Sequence, residues 1–236
     1  VLNPTRKNKN IGTAKQGHGK NNKLRIPKGF PGKEFYEHLP NAEIVKRKVH
    51  DRELVFYIEP TLDGFQHCCS VDDICYLLEQ VPEDDVDGID LFLFRQPKRK
   101  ERILSSVWGR LIYWATLGKK MDAQGTAICL EAQEPPKKLL WTRKQSPYYV
   151  RELERLKGDG HKVRETKRHF VIEGEIEAIR STQLRSTLHE IGHYVDFMRS
   201  FESKVAEKHF ETKPWQEKED FAHRYADTML KKLGLR

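Results

Sequence analysis

The sequence predicts an α+β fold: a mixed β-sheet of about four to five strands, then an active-site helix and a following glutamate-bearing helix. Two observations carry this prediction. Short apolar runs rich in β-formers fill the stretch from Leu54 to Ala132. The C-terminal third instead repeats its apolar residues at helical spacing, first from Leu184 to Met198 and again from Ala222 to Leu233.

Taken in order, Leu54 to Ile58 is a short strand, and Ser70 with Asp73 three residues later opens a helix running to about Gln80. Ile89 to Phe94 reads as a buried strand, Val107 to Trp114 as a longer one, and Thr126 to Ala132 as another. Pro135-Pro136 marks a turn. Tyr148 to Leu156 is helical, and His169 to Ile172 is a further strand. In the first long helix Leu184, Leu188, Ile191, Val195 and Met198 form one apolar stripe. In the second, Pro214 suits the first turn and Gly234 the end, and the stripe is Ala222, Ala226, Met229, Leu230 and Leu233.

The chain has 236 residues and a formal net charge of +8. Residues 1–33 hold nine Lys or Arg and no acid, so the excess sits there and the remainder is close to neutral. We therefore divide the chain into a basic, flexible N-terminal segment, 1–33, and one domain, 34–236. A one-signed segment with little apolar content does not fold alone, and it is a candidate arm for nucleic acid. No apolar run approaches the roughly 18 residues of a membrane span, so no membrane partner is expected. No signal peptide is visible, which predicts a cytoplasmic protein, although a chain starting on Val1 can have lost residues ahead of it. The four cysteines do not form a disulfide framework and are expected to be reduced. Oligomeric state is open.

The chemistry concentrates in His189-Glu190-Ile191-Gly192-His193. Histidines at i and i+4 lie one turn apart on one helix face, so both rings can reach one ion. A glutamate directly after the first histidine is offset from the ligand direction, where it can take a proton from water beside the metal. Here the histidines oppose the apolar stripe, as a helix backed by a core and facing a cleft requires. Gly192, near the histidine side, points to close backbone approach. On the second helix Glu219 falls inside the apolar stripe, where a carboxylate needs a partner. An ion held by two neutral histidines is one such partner, and a salt bridge at the stripe's edge is another. His223 lies one turn later. The small Ala222 and Ala226 would let the two helices approach. Asp196, three residues after His193, has three readings: a second-shell hydrogen bond to a ligand imidazole, an alternative ligand, or a surface pair with Arg199.

His189-Glu190-x-Gly192-His193 followed by Glu219-Asp220-Phe221-Ala222 resembles the gluzincin group of zinc metallopeptidases, in particular the catalytic domain of anthrax lethal factor and the minigluzincins, and more distantly thermolysin. The match covers Leu184 to Ala226; elsewhere only the element order is similar. The resemblance implies a zincin-like fold, Zn2+ held by His189, His193 and Glu219, and Glu190 as general base. It implies hydrolysis of a protein or peptide substrate, with a Tyr or His stabilising the oxyanion. The candidates are His209, His223 and Tyr225. The residue four after the ligand glutamate is usually acidic in these enzymes and is His223 here, a departure. In their order the strand nearest the cleft pairs with an extended substrate, which designates Thr126 to Ala132, with Thr126, Ile128 and Leu130 as substrate-binding residues. The alternative is a protein- or nucleic-acid-binding module that uses the zincin scaffold and the basic arm without catalysis.

Overall fold

The first strands form a hairpin whose two-residue turn, His50-Asp51, has positive φ at both positions (50° and 60°). That conformation matches the twist of paired strands but is costly without glycine. Local contacts hold it: Lys48 Nζ lies 2.7 Å from Asp51 Oδ1, and His50 Nε2 lies 2.9 Å from the Leu78 carbonyl. The computed structural model describes residues 39, 41–99, 107–117, 123–142, 147–201, 210 and 212–235. The chain divides into two units, Val1–Phe35 and Tyr36–Arg236, and every described residue belongs to the second.

The hairpin joins β1 (Glu43–Val49) to β2 (Arg52–Ile58). Helix α1 (Val71–Glu79) starts at Ser70, whose side chain accepts from the Asp73 amide while Asp73 accepts from the Ser70 amide. This is the reciprocal cap the sequence predicts. After the short α2 (Glu83–Val86) come β3 (Ile89–Arg95), β4 (Gly109–Leu117) and β5 (Ala123–Glu131). The sheet order is β1-β2-β3-β5-β4. Its central pairs β2·β3 and β3·β5 are parallel and its outer pairs antiparallel, so the sheet is mixed. β4 is an edge strand. Its register with β5 shifts between Ile112 and Ala115, a bulge.

A second, three-stranded antiparallel sheet follows, in the order β6-β8-β7. It is built from β6 (Lys137–Thr142), β7 (Lys162–Glu165) and β8 (His169–Gly174). Helix α3 (Pro147–Gly158) buries Leu153 and Leu156 against Ile172 of β8. Of these strands the sequence predicts only β8.

The domain closes with α4 (Ile176–Phe201) and α5 (Trp215–Lys232), packed against each other. Leu188, Ile191 and Val195 of α4 and Ala226, Met229 and Leu230 of α5 share one buried core with Phe56, Phe92, Ile128 and Leu130 of the large sheet. Thus one face of the sheet backs the helix bearing both motif histidines. Met198, expected in the stripe, is 44 % exposed because α4 runs past the core there. Among the described residues no helix is long and apolar enough to cross a membrane. The four cysteines are free thiols.

Candidate metal centre

Leu188 and Ile191 anchor α4 in the core with no residual exposure, and His189 and His193 are thereby turned toward α5. Their rings stand edge to face, centroids 4.6 Å apart at 87°. Across from them α5 delivers Glu219. Its Oε2 lies 3.5 Å from His189 Nε2 and its Oε1 lies 3.3 Å from His193 Nε2. A candidate ligand atom from each of the three residues lies within 4.8 Å of the others. Tetrahedral zinc with bonds of about 2.0–2.1 Å has ligand atoms about 3.3 Å apart. The donor set and its spacing therefore fit a divalent metal ion before one binds.

Gly192 makes this approach possible. A Cβ there would meet Ala222 Cα at 2.8 Å and Tyr225 Cβ at 3.0 Å. Ala222 and Ala226 are themselves buried in the helix contact. Gly192→Ala is expected to push α5 off α4. It should cost about 1–3 kcal/mol of stability, as overpacking does, and weaken metal uptake together with it. Urea unfolding and a zinc titration check both, and an unchanged metal affinity would detach Gly192 from the site.

Electrostatics tie the three groups together. Burial works against the charge of Glu219, yet the two imidazoles hold its carboxyl well below the usual carboxylate range. Burial likewise opposes the charge on His193, but Glu219 raises its proton affinity overall. His189 Nδ1 is buried without a hydrogen-bond partner among the described residues. His223 lies with its ring 4.4 Å from that of His189, and burial followed by the His189 charge lowers its pKa to about 3.

Glu190 does not join the triad. Its Oε2 accepts the Leu111 amide of β4 at 2.8 Å, and burial raises its pKa. Since Leu111 spends its N–H there, that group faces outward from the β4·β5 ladder. A cavity of about 270 Å³ opens beside the centre, lined by His189, Glu190 and His223 together with Trp108 and Trp141. Arg185 and Ser186, one turn before His189, and Glu152 of α3 complete much of the wall. A larger cavity of about 440 Å³, around Pro135 and Pro136, contains none of the triad.

Arg185 is 3 % exposed and holds two carboxylates. Its Nε donates to Asp159 at 2.7 Å and its Nη2 to Glu152 at 2.8 Å. Asp159 also accepts from the buried Thr182 hydroxyl at 3.1 Å. The network joins α3 to α4 one turn below His189.

Several expected roles change. β5 is hydrogen-bonded on both sides, to β3 and β4, so Thr126, Ile128 and Leu130 have no free edge for a substrate strand; β4 has it. The Thr126 hydroxyl is bonded to the Tyr113 carbonyl at 3.1 Å. Tyr225 turns away from the cavity and donates to Asp85 of α2 at 2.8 Å. Both oxygens of Asp196 accept from Lys213 Nζ, at 2.6 and 2.8 Å, so it pairs with the segment preceding α5 and not with an imidazole or Arg199. Of the two oxyanion candidates among the described residues, His223 lines the cavity and Tyr225 does not; His209 and the arm, 1–33, lie outside the described residues.

Trp108, Trp141, Arg185, Ser186 and Glu152 line the cavity without being expected there from the sequence. Arg185 and Ser186 are nonetheless legible in it, since positions four and three before His189 share its helix face. Trp141 is not, because β6 (KKLLWT) lacks the alternation that marks a strand. No family model matches the chain, and no curated protein and no solved structure matches it either.

Proposed function

We propose that the protein is a zinc-dependent metallopeptidase in which His189, His193 and Glu219 hold the ion and Glu190 is the general base. One observation carries the reading: two imidazole nitrogens and a carboxylate converge at 3.3–3.5 Å from separate helices, with a second carboxylate, Glu190, on the histidine helix and hydrogen-bonded to an edge strand. Two imidazoles and one carboxylate suit zinc better than magnesium or calcium, which prefer oxygen ligands. Bound there, zinc supplies Lewis acidity that polarises a carbonyl and makes water acidic near neutral pH.

The chain's own groups do the rest. Glu190, held by Leu111, accepts a proton from water with one carboxylate oxygen and delivers it to the leaving amine. With the Leu111 amide held by Glu190, the outward-facing Leu111 carbonyl and the backbone of Gly109 on β4 offer main-chain pairing to an extended peptide. Trp108 and Trp141 flank a cavity that takes a large apolar side chain of that peptide. His223, on the cavity wall, would donate a hydrogen bond to the developing oxyanion.

The test combines metal content and hydrolysis. Purified untagged protein should carry about one zinc per chain and degrade fluorescein-labelled casein. Glu219→Ala should lose both, since a two-histidine remnant binds zinc far more weakly. Wild-type protein that takes up no zinc, or takes it up equally without Glu219, would sink the proposal.

A further inference from the structure

We propose that the outer face of the three-stranded sheet, with the tip of its β7–β8 hairpin, binds the phosphate backbone of duplex nucleic acid. The surface is built from residues other than those of the metal centre and of segment 1–33, and it does not depend on the peptidase reading.

Alternation along the strands separates the two faces. In register, Leu139, Ile172 and Val163 stand side by side, as do Trp141 and Phe170, and all of them belong to the cluster packed around Leu153 and Leu156 of α3. Their neighbours necessarily project the other way. On that outer face Lys138, Glu173 and Lys162 form one row, and Leu140, Val171 and Arg164 the next, with Val171 itself only 6 % exposed on the central strand and the charged side chains standing out around it. Lys138 is paired with Glu173 at 3.1 Å. The hairpin closes through Thr166 and His169, whose backbone and hydroxyl groups are bonded at 2.8 to 3.1 Å. Its two-residue tip is therefore Lys167-Arg168. Lys162, Arg164, Lys167 and Arg168 are all exposed, and none has a carboxylate partner among the described residues.

Four uncompensated cations on so small an element stand out in a chain that is close to neutral outside residues 1–33. Strands about 4.8 Å apart give a face roughly 10 Å wide between its outer strands. Each strand of duplex DNA presents one phosphate per ~3.4 Å of axis, so about three phosphates of a strand pass such a face. The aromatic residues Trp141 and Phe170 point inward, which leaves no stacking platform for unpaired bases. Backbone contact without sequence readout is what remains. An anionic bilayer is the weaker match: interfacial binding buries several apolar side chains, and Leu140, at 62 %, is the exposed large apolar residue on this face.

The experiment measures binding of the full chain to a fluorescein-labelled 20-base-pair DNA duplex by anisotropy across a salt series. The comparison is a variant carrying Lys162→Glu, Arg164→Glu, Lys167→Glu and Arg168→Glu. A second variant with Gln at the same four positions serves if charge reversal disturbs the fold, as judged by thermal melting. The variant should bind at least tenfold more weakly at 100 mM salt. The slope of log K against log salt should fall by about 2 to 4, at ~0.9 per lost phosphate contact. Unchanged affinity and slope would overturn the proposal and assign any binding to residues 1–33. So would wild-type protein that ignores the duplex, or that binds only phosphatidylserine vesicles.

Discussion

Glu190→Gln is expected to lower turnover of casein by roughly 10²–10⁴-fold, the usual worth of a positioned base, while zinc stoichiometry stays at the wild-type value. Glutamine keeps the shape of glutamate and an oxygen for the Leu111 amide, so the helix and β4 remain in register. What it loses is the capacity to take a proton. Because Glu190 is bonded to β4 and not to the triad, its neutralisation should leave His189, His193 and Glu219 converged. Side-by-side metal analysis and hydrolysis rates on the same preparations check this. Turnover above a tenth of wild type would remove Glu190 from the base role, and loss of zinc would make it part of the metal site.

Arg185→Met is expected to be the most damaging single change to stability, at about 3–5 kcal/mol, the cost of stripping a buried ion pair of one partner. Methionine replaces much of the volume, but the side chains of Asp159 and Glu152, only 4 % and 15 % exposed, would face each other without the guanidinium. Burial opposes the charge of Arg185, and those two carboxylates more than offset it. Adding Asp159→Asn to Arg185→Met should therefore recover part of the loss. Urea unfolding of the two single variants and the double variant measures the coupling. A single-variant loss below about 1 kcal/mol would mean that water replaces the guanidinium and that the network is not sealed.

The sequence disclosed what local pattern encodes. The i, i+4 histidines, the Ser70 cap, the Gly192 approach and the position of Glu219 within a buried stripe all follow from periodicity and steric demand. It did not disclose β1, β6 and β7, because those strands lie where one face meets water and carry lysines and arginines in place of an apolar alternation. Nor could it rank β4 and β5. Both read as apolar strands, and which one becomes the edge depends on the order of pairing, a non-local property. The partners of Asp196 and Tyr225 are hidden from the sequence for a similar reason. These partners, Lys213 and Asp85, are 17 and 140 residues away in sequence, and no helical spacing reveals them.

The hydrogen bond between Leu111 and Glu190 also bears on solubility. An edge strand with free donors invites a second sheet to add to it, the first step toward aggregation. Here the outward amide of Leu111 is already occupied by a carboxylate, and the bulge after Ile112 interrupts the run of regular pairing. The resting protein thereby guards the strand that its cleft leaves open. Glu190→Ala would remove that guard along with the base, so a drop in soluble yield should accompany it and not accompany Glu190→Gln.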